Sequence, residues 1–104
     1  MARGIGTQIL TWNCESLPTK KQKLDILIAE QNPVAICLQD TRLTKESEDK
    51  YKITGYTPYF KSIDTSASGV AIYIKNTIPQ SRVTIVTNLQ ALAVRATMKG
   101  KLLL

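Results

Sequence analysis

The chain contains no histidine. Histidine is the side chain whose ordinary pKa lies near neutral pH, and many hydrolases use it as their general base. This chain therefore uses another base, draws on a histidine from outside these 104 residues, or does no catalysis. The same absence argues against a serine nucleophile at Ser66 or Ser68. It also leaves Cys14 and Cys37 without a partner for a metal finger, and their spacing is not that of one. Both fall in or beside expected strands. They read as reduced, partly buried thiols of an intracellular protein, not as a disulfide. No apolar run approaches the length of a membrane span, and Met1–Gly6 lacks the apolar stretch of a signal peptide, so no membrane is expected as a partner. Glycine is missing from Cys14 to Lys20, which disfavours a dinucleotide-binding turn. There is no repeat, no low-complexity segment and no tight basic run with interleaved aromatics.

What is present is enough apolar material, 43% of residues, for a packed core. The length suits one small domain or a piece of a larger one. The formal charge of +6 favours polyanions as partners, nucleic acid above all. The positive residues are scattered and also suit a solvated basic surface, so charge alone supports nucleic acid only weakly.

The apolar pattern predicts a first strand over Gln8–Trp12. Ser16-Leu17-Pro18-Thr19 follows with helix-start signals: a capping hydroxyl at Ser16 or Thr19 and a proline suited to the first turn. From Lys20 to Gln31, Leu24, Leu27 and Ile28 fall at i, i+3 and i+4 and form one buried stripe, with Lys21, Asp25 and Glu30 towards water. Asn32-Pro33 ends the helix. Val34–Leu38 is apolar throughout, as expected of a strand covered on both faces. Strand, helix and strand make a βαβ unit with two parallel strands. Thr41 to Lys52 reads as a loop or short exposed helix, with a turn at Lys45–Lys50. Gly55–Phe60 leads into an edge strand, Asp64–Gly69 is a loop, and Val70–Lys75 is a covered strand ended by Asn76 and Pro79. Arg82–Val86 and Leu89–Thr97 are further strands. From residue 55 the spacing suggests an antiparallel meander. Met98–Lys101 reads as a hairpin turn and Leu102–Leu104 as the start of another strand. Residues 1–104 are therefore expected to be the N-terminal portion of a larger domain, truncated at its C-terminus.

Two polar motifs sit at the carboxyl ends of the parallel pair: Trp12-Asn13-Cys14-Glu15 and Leu38-Gln39-Asp40-Thr41. That edge of an α/β sheet is where ligands usually bind. An amide and two carboxylates gathered there suit a divalent cation and a phosphate better than a core. The bland alternatives are a turn residue for Asn13, a solvated loop residue for Asp40 and a helix-start carboxylate for Glu15. Arg42 is expected either to pair with Glu46 on the surface or to meet a phosphate oxygen.

The order Ile9–Asn13, helix, Ile36–Thr41, then Gly69–Lys75 resembles the endonuclease/exonuclease/phosphatase superfamily. More narrowly, it resembles the apurinic-type endonuclease domain of jockey-like non-LTR retrotransposons, over about the first half of that domain. The resemblance implies an α/β (α+β) fold that is part of a four-layer αββα sandwich of the DNase I type. In this chain it would be one βαβ unit followed by a mostly antiparallel meander. It also implies Mg²⁺ or Mn²⁺ as cofactor and DNA as partner, in a nuclear protein that nicks target DNA beside a reverse transcriptase domain. By the same resemblance Asn13 and Asp40 take catalytic positions, with Asp40 the metal ligand where the family usually has glutamate. Arg42 would touch phosphate, and Glu15 and Gln39 would stand behind these groups. The later Asp-x-Asn and Ser-Asp-His motifs of the family have no counterpart here, so this chain alone is expected to be inactive or nearly so, and prone to self-association. The competing readings are another phosphoesterase of the superfamily, such as a deadenylase, an inositol-phosphate phosphatase or a sphingomyelinase, and a non-catalytic basic α/β module that binds nucleic acid through its charge.

Overall fold

The computed structural model describes residues 8–62, 69–83, 93–98 and 101–102. Strand β1 (Ile9–Asn13), helix α1 (Leu17–Gln31) and strand β2 (Ala35–Gln39) open the chain. The two strands are parallel, with Ile9 opposite Ala35 and Asn13 opposite Gln39. A turn at residues 45–47 and a 3₁₀ turn, Glu48–Tyr51, occupy the charged segment, as its lack of an apolar stripe predicts. Strands β3 (Tyr56–Lys61) and β4 (Val70–Lys75) are antiparallel to each other, and β4 is antiparallel to β2. The sheet order is β1-β2-β4-β3, so β3 is an edge strand. Strands β5 (Gln80–Val83), β6 (Ala93–Met98) and β7 (Lys101–Leu102) form a second, antiparallel sheet, and β6 runs close to β4. The architecture is mixed α/β, consistent with part of a sandwich.

The expected meander from residue 55 needs one correction. It is broken after β4, which pairs with β2 and β3, while β5 begins another sheet. Spacing between strands reports hairpin-length connections but not which sheet receives the next strand. The parts of these expectations on residues 64–68, 84–86, 89–92, 99–100 and 103–104, and Ser66 and Ser68 with them, lie outside the described residues.

The pleat divides the first sheet into two faces. Leu10, Trp12, Ile36, Leu38, Ala71, Tyr73 and Phe60 point towards α1 and pack with Leu17, Leu24 and Ile28. Tyr73 is fully buried at the centre, and Phe60 meets its ring edge-on at 5.8 Å. On the opposite face, Ala35, Ile72 and Ile74 pack with Val34 and Ile78. Cys14 is buried and Cys37 half-buried, and neither is in a disulfide. Helix α1 stops at Asn32, whose φ of 45° and ψ of 55° are left-handed, and the Asn32 amide donates to Ile28 O. The following Pro33 excludes a further right-handed residue there, and asparagine tolerates the left-handed alternative.

The start of α1 differs from its sequence signals. Ser16 is the capping residue, but its side chain caps nothing, and Thr19 Oγ1 donates instead to Ser16 O at 3.0 Å. The capping role is taken by the backbone of the neighbouring loop: Ser16 N donates to Asp40 O and Leu17 N to Thr41 O, at 2.8 and 2.9 Å. Helix α1 is thus fastened to the end of β2 rather than closed by its own side chain.

Candidate functional site

The last paired residues of β1 and β2 are Asn13 and Gln39. As partners in a parallel pair they share a face, the one turned away from α1. Beyond them the two chains stay bonded: Cys14 N donates to Gln39 O at 3.1 Å, followed by the Ser16 and Leu17 bonds to Asp40 and Thr41. This zipper places Asn13, Cys14 and Glu15 beside Gln39 and Asp40 on one rim. Asn13 and Glu15 are exposed, and Gln39 and Asp40 are half-buried.

The rim is also where the backbone is most unusual. Five non-glycine residues among those described have positive φ, and four are here: Glu15 (49°), Ser16 (91°), Asp40 (56°) and Arg42 (57°). Such conformations cost roughly 1–3 kcal/mol each and persist only where surrounding bonds over-determine them. The cross-loop hydrogen bonds supply that constraint, and a third set completes it. Thr41, fully buried between Asp40 and Arg42, donates its amide to Gly69 O at 3.1 Å. Gly69 itself has φ +128°, and a Cβ built on it would stand 2.8 Å from Thr41 Oγ1. The ends of β1 and β2 and the start of β4 are therefore locked together under Asp40.

Arg42 does not pair with Glu46. Its Nε donates to Asp40 Oδ1 at 3.2 Å and its Nη2 to Asp40 Oδ2 at 3.3 Å. The four-residue spacing to Glu46 makes neighbours only on a helix, and residues 41–44 are not helical. The hydrogen bond and charge of Asp40, with a smaller contribution from Glu15, push the Arg42 pKa further up. Glu15 thus stands within electrostatic reach of the Asp40–Arg42 pair.

Cys14 is the buried thiol expected from the sequence, but its place behind the rim and the part played by Lys20 are not. Cys14 is buried directly behind the rim, with Sγ donating to Gln39 O at 3.4 Å, and burial raises its pKa. Lys20, in the first turns of α1, donates from Nζ to Cys14 O at 2.9 Å and holds the β1 end of the rim. A lone cysteine or lysine carries no sequence signal for such roles. The Thr41–Gly69 contact does have one, a glycine just before a covered strand, which marks close backbone approach.

The oxygen donors on the rim, the Asp40 carboxylate, the Asn13 amide and the Glu15 carboxylate, match Mg²⁺ or Mn²⁺ in kind. They do not form a closed cage: among the described residues no three His, Cys, Asp or Glu side chains gather to hold a metal. Mg²⁺ is commonly held by one or two carboxylates with waters and substrate phosphate completing the shell, so the donor set fits such an open site.

The family model described as the Endonuclease/Exonuclease/phosphatase family matches residues 10–99. No curated protein matches the chain. Solved structures do. The catalytic domain of APE2 from Xenopus laevis is 27% identical, with a TM-score of 0.57, over 67% of this chain and 24% of that one. A 3′ phosphatase, NExo, from Neisseria, bound to a product DNA hairpin, is 22% identical, with a TM-score of 0.66, over 93% of this chain and 39% of that one. An AP endonuclease from Archaeoglobus fulgidus is 21% identical, with a TM-score of 0.66, over 90% of this chain and 38% of that one. The chain spans less than two-fifths of the length of each of these.

Proposed function

The chain belongs to the endonuclease/exonuclease/phosphatase family, and from that premise we propose that it contributes part of the site of a Mg²⁺-dependent endonuclease that nicks DNA. The observation that carries the reading is the locked, strained rim that sets Asn13 beside the Asp40 loop at the carboxyl ends of two parallel strands. Asp40 would hold Mg²⁺ or Mn²⁺, with Glu15 reaching it through water and Asn13 offering its amide to the phosphate or to a bound water. The metal, when bound, supplies Lewis acidity to the scissile phosphate and charge to the leaving oxygen. Gln39 shares the face of Asn13 and flanks it, and Arg42 is near enough to meet a phosphate oxygen once freed from Asp40. A histidine base for activating water is not among these residues. On this reading the 104 residues alone nick DNA weakly or not at all.

The finer context follows the resemblance to jockey-like retrotransposon endonucleases. The substrate would be chromosomal target DNA, the compartment the nucleus, and the neighbouring activity a reverse transcriptase that extends the freed 3′-hydroxyl. A fluorescence-anisotropy titration of a DNA duplex tests the core of the proposal. Affinity should fall with salt, as for any basic protein, and Mg²⁺ should strengthen it in the native chain but not in Asp40→Ala. A DNA affinity indifferent to both EDTA and Asp40→Ala would favour the alternative of a non-catalytic basic module, which the charge of +6 alone supports.

A further inference from the structure

The Asp40 carboxylate proposed to hold the metal is engaged through both oxygens by Arg42, and the pair is framed by fixed backbone. Asp40 O accepts from Ser16 N, and Thr41, between the two residues, is fully buried and bonded to both Gly69 and Leu17. Asp40 and Arg42 are both held in the left-handed region. The backbone on both sides of the pair is therefore fixed, and the planar guanidinium fork faces both carboxylate oxygens, which a lysine ammonium cannot match.

We infer that Arg42 is a built-in counter-ion that occupies the Asp40 carboxylate when no divalent cation is bound and competes with that cation for it. The inference rests on the metal-site reading above. A carboxylate has about four lone-pair positions, so Arg42 need not exclude a cation sterically. The competition is electrostatic, because two positive groups a few ångströms apart on one carboxylate repel. Arg42 would then be free to meet the phosphate that arrives with the metal. The same residue would thus offset the Asp40 charge in the metal-free site and serve the anion in the loaded one.

The test is Mn²⁺ binding to the full 104-residue chain, read by the electron paramagnetic resonance signal of free Mn²⁺. Arg42→Gln should bind Mn²⁺ more tightly than the native chain by about two- to five-fold, the range that loss of an exposed ion pair supports. Arg42→Lys should fall between, and Lys45→Gln, which removes an equal charge from the same segment, should change little. Asp40→Asn should weaken binding and erase the gain of Arg42→Gln in the double variant. Equal or weaker binding by Arg42→Gln, with Asp40→Asn still weakening it, overturns the counter-ion role and leaves the metal site standing. Equal tightening by Lys45→Gln overturns it too, as an effect of net charge. Binding unchanged by Asp40→Asn removes the metal-site reading itself. The native chain supplies a second measurement should a variant not fold: Mg²⁺ should speed solvent exchange of the Arg42 Nε proton, and exchange that stays constant as the Asp40 carboxyl carbon shifts overturns the role.

Discussion

Gly69 is the residue on which the rim depends most directly. Its φ of +128° is a conformation that L side chains rarely adopt, and an added Cβ would press on Thr41 Oγ1 at 2.8 Å. Gly69→Ala should therefore cost about 1–3 kcal/mol of stability through backbone strain and the clash together. Urea unfolding measures it. Because the contact partner is the Thr41 hydroxyl, Thr41→Ala with Gly69→Ala should cost less than the two single changes summed. Strict additivity would mean that the two residues do not press on each other. At this scale the sequence shows Asn13 and Asp40 as the groups on the rim, because strand ends and polar triplets are visible in it. It does not show the left-handed kinks at Glu15, Ser16, Asp40 and Arg42. None is a glycine; Ser16 and Asp40 are held by a long-range backbone bond, and Glu15 and Arg42 flank residues that are, with no local signature. The partner of Arg42 is missed for the same reason: a spacing rule that belongs to helices does not hold in an irregular segment.

Helix α1 is fastened to the rim at its first residue and packs the core on one face. Leu17 and Leu24 are fully buried, whereas Ile26 is 57% exposed. Leu24→Ala should destabilise by about 2–5 kcal/mol, the cost of lost burial plus a cavity. Ile26→Ala should stay within about 0.5 kcal/mol. Thermal or urea unfolding separates the two, and equal losses would show that the helix presents a different face to the sheet. Of the expected stripe Leu24, Leu27 and Ile28, Leu24 is buried and Ile28 packs against the core, while Leu27 is half-buried outside it; the parallel pairing that α1 bridges is readable from the strand–helix–strand order. Leu17, seven residues before Leu24, extends the same face into the first turn and packs in the same core. The departure of β5 to a second sheet is unreadable in the sequence. A short connection permits a hairpin without requiring one, and the choice is made by which apolar faces remain uncovered.

For the molecule as a whole, charge and apolar content are plain in the composition, but the titration of the core depends on packing that only the fold reveals. Burial raises the pKa of Cys14 and Cys37 above the ordinary 9.0, and of Tyr56 and Tyr73 above the ordinary 10.0. All four groups are neutral when protonated, so the folded state keeps its protons at a pH where the unfolded chain has begun to lose them. The unfolded state then binds fewer protons, and stability falls as pH rises. The contribution is fully present below pH 9.0, begins to be lost as the thiols of the unfolded chain ionise, and is lost further from about pH 10 as the phenols follow. The melting temperature should accordingly be flat with respect to these groups from pH 7 to about 8.5 and decline through pH 11. Replacing both cysteines by alanine should delay the onset of the decline towards the phenol range without abolishing it. An unchanged onset in that variant would assign the loss to the tyrosines alone. A melting temperature independent of pH up to 11 would mean that neither thiols nor phenols are held away from water, contrary to a core built around Cys14 and Tyr73.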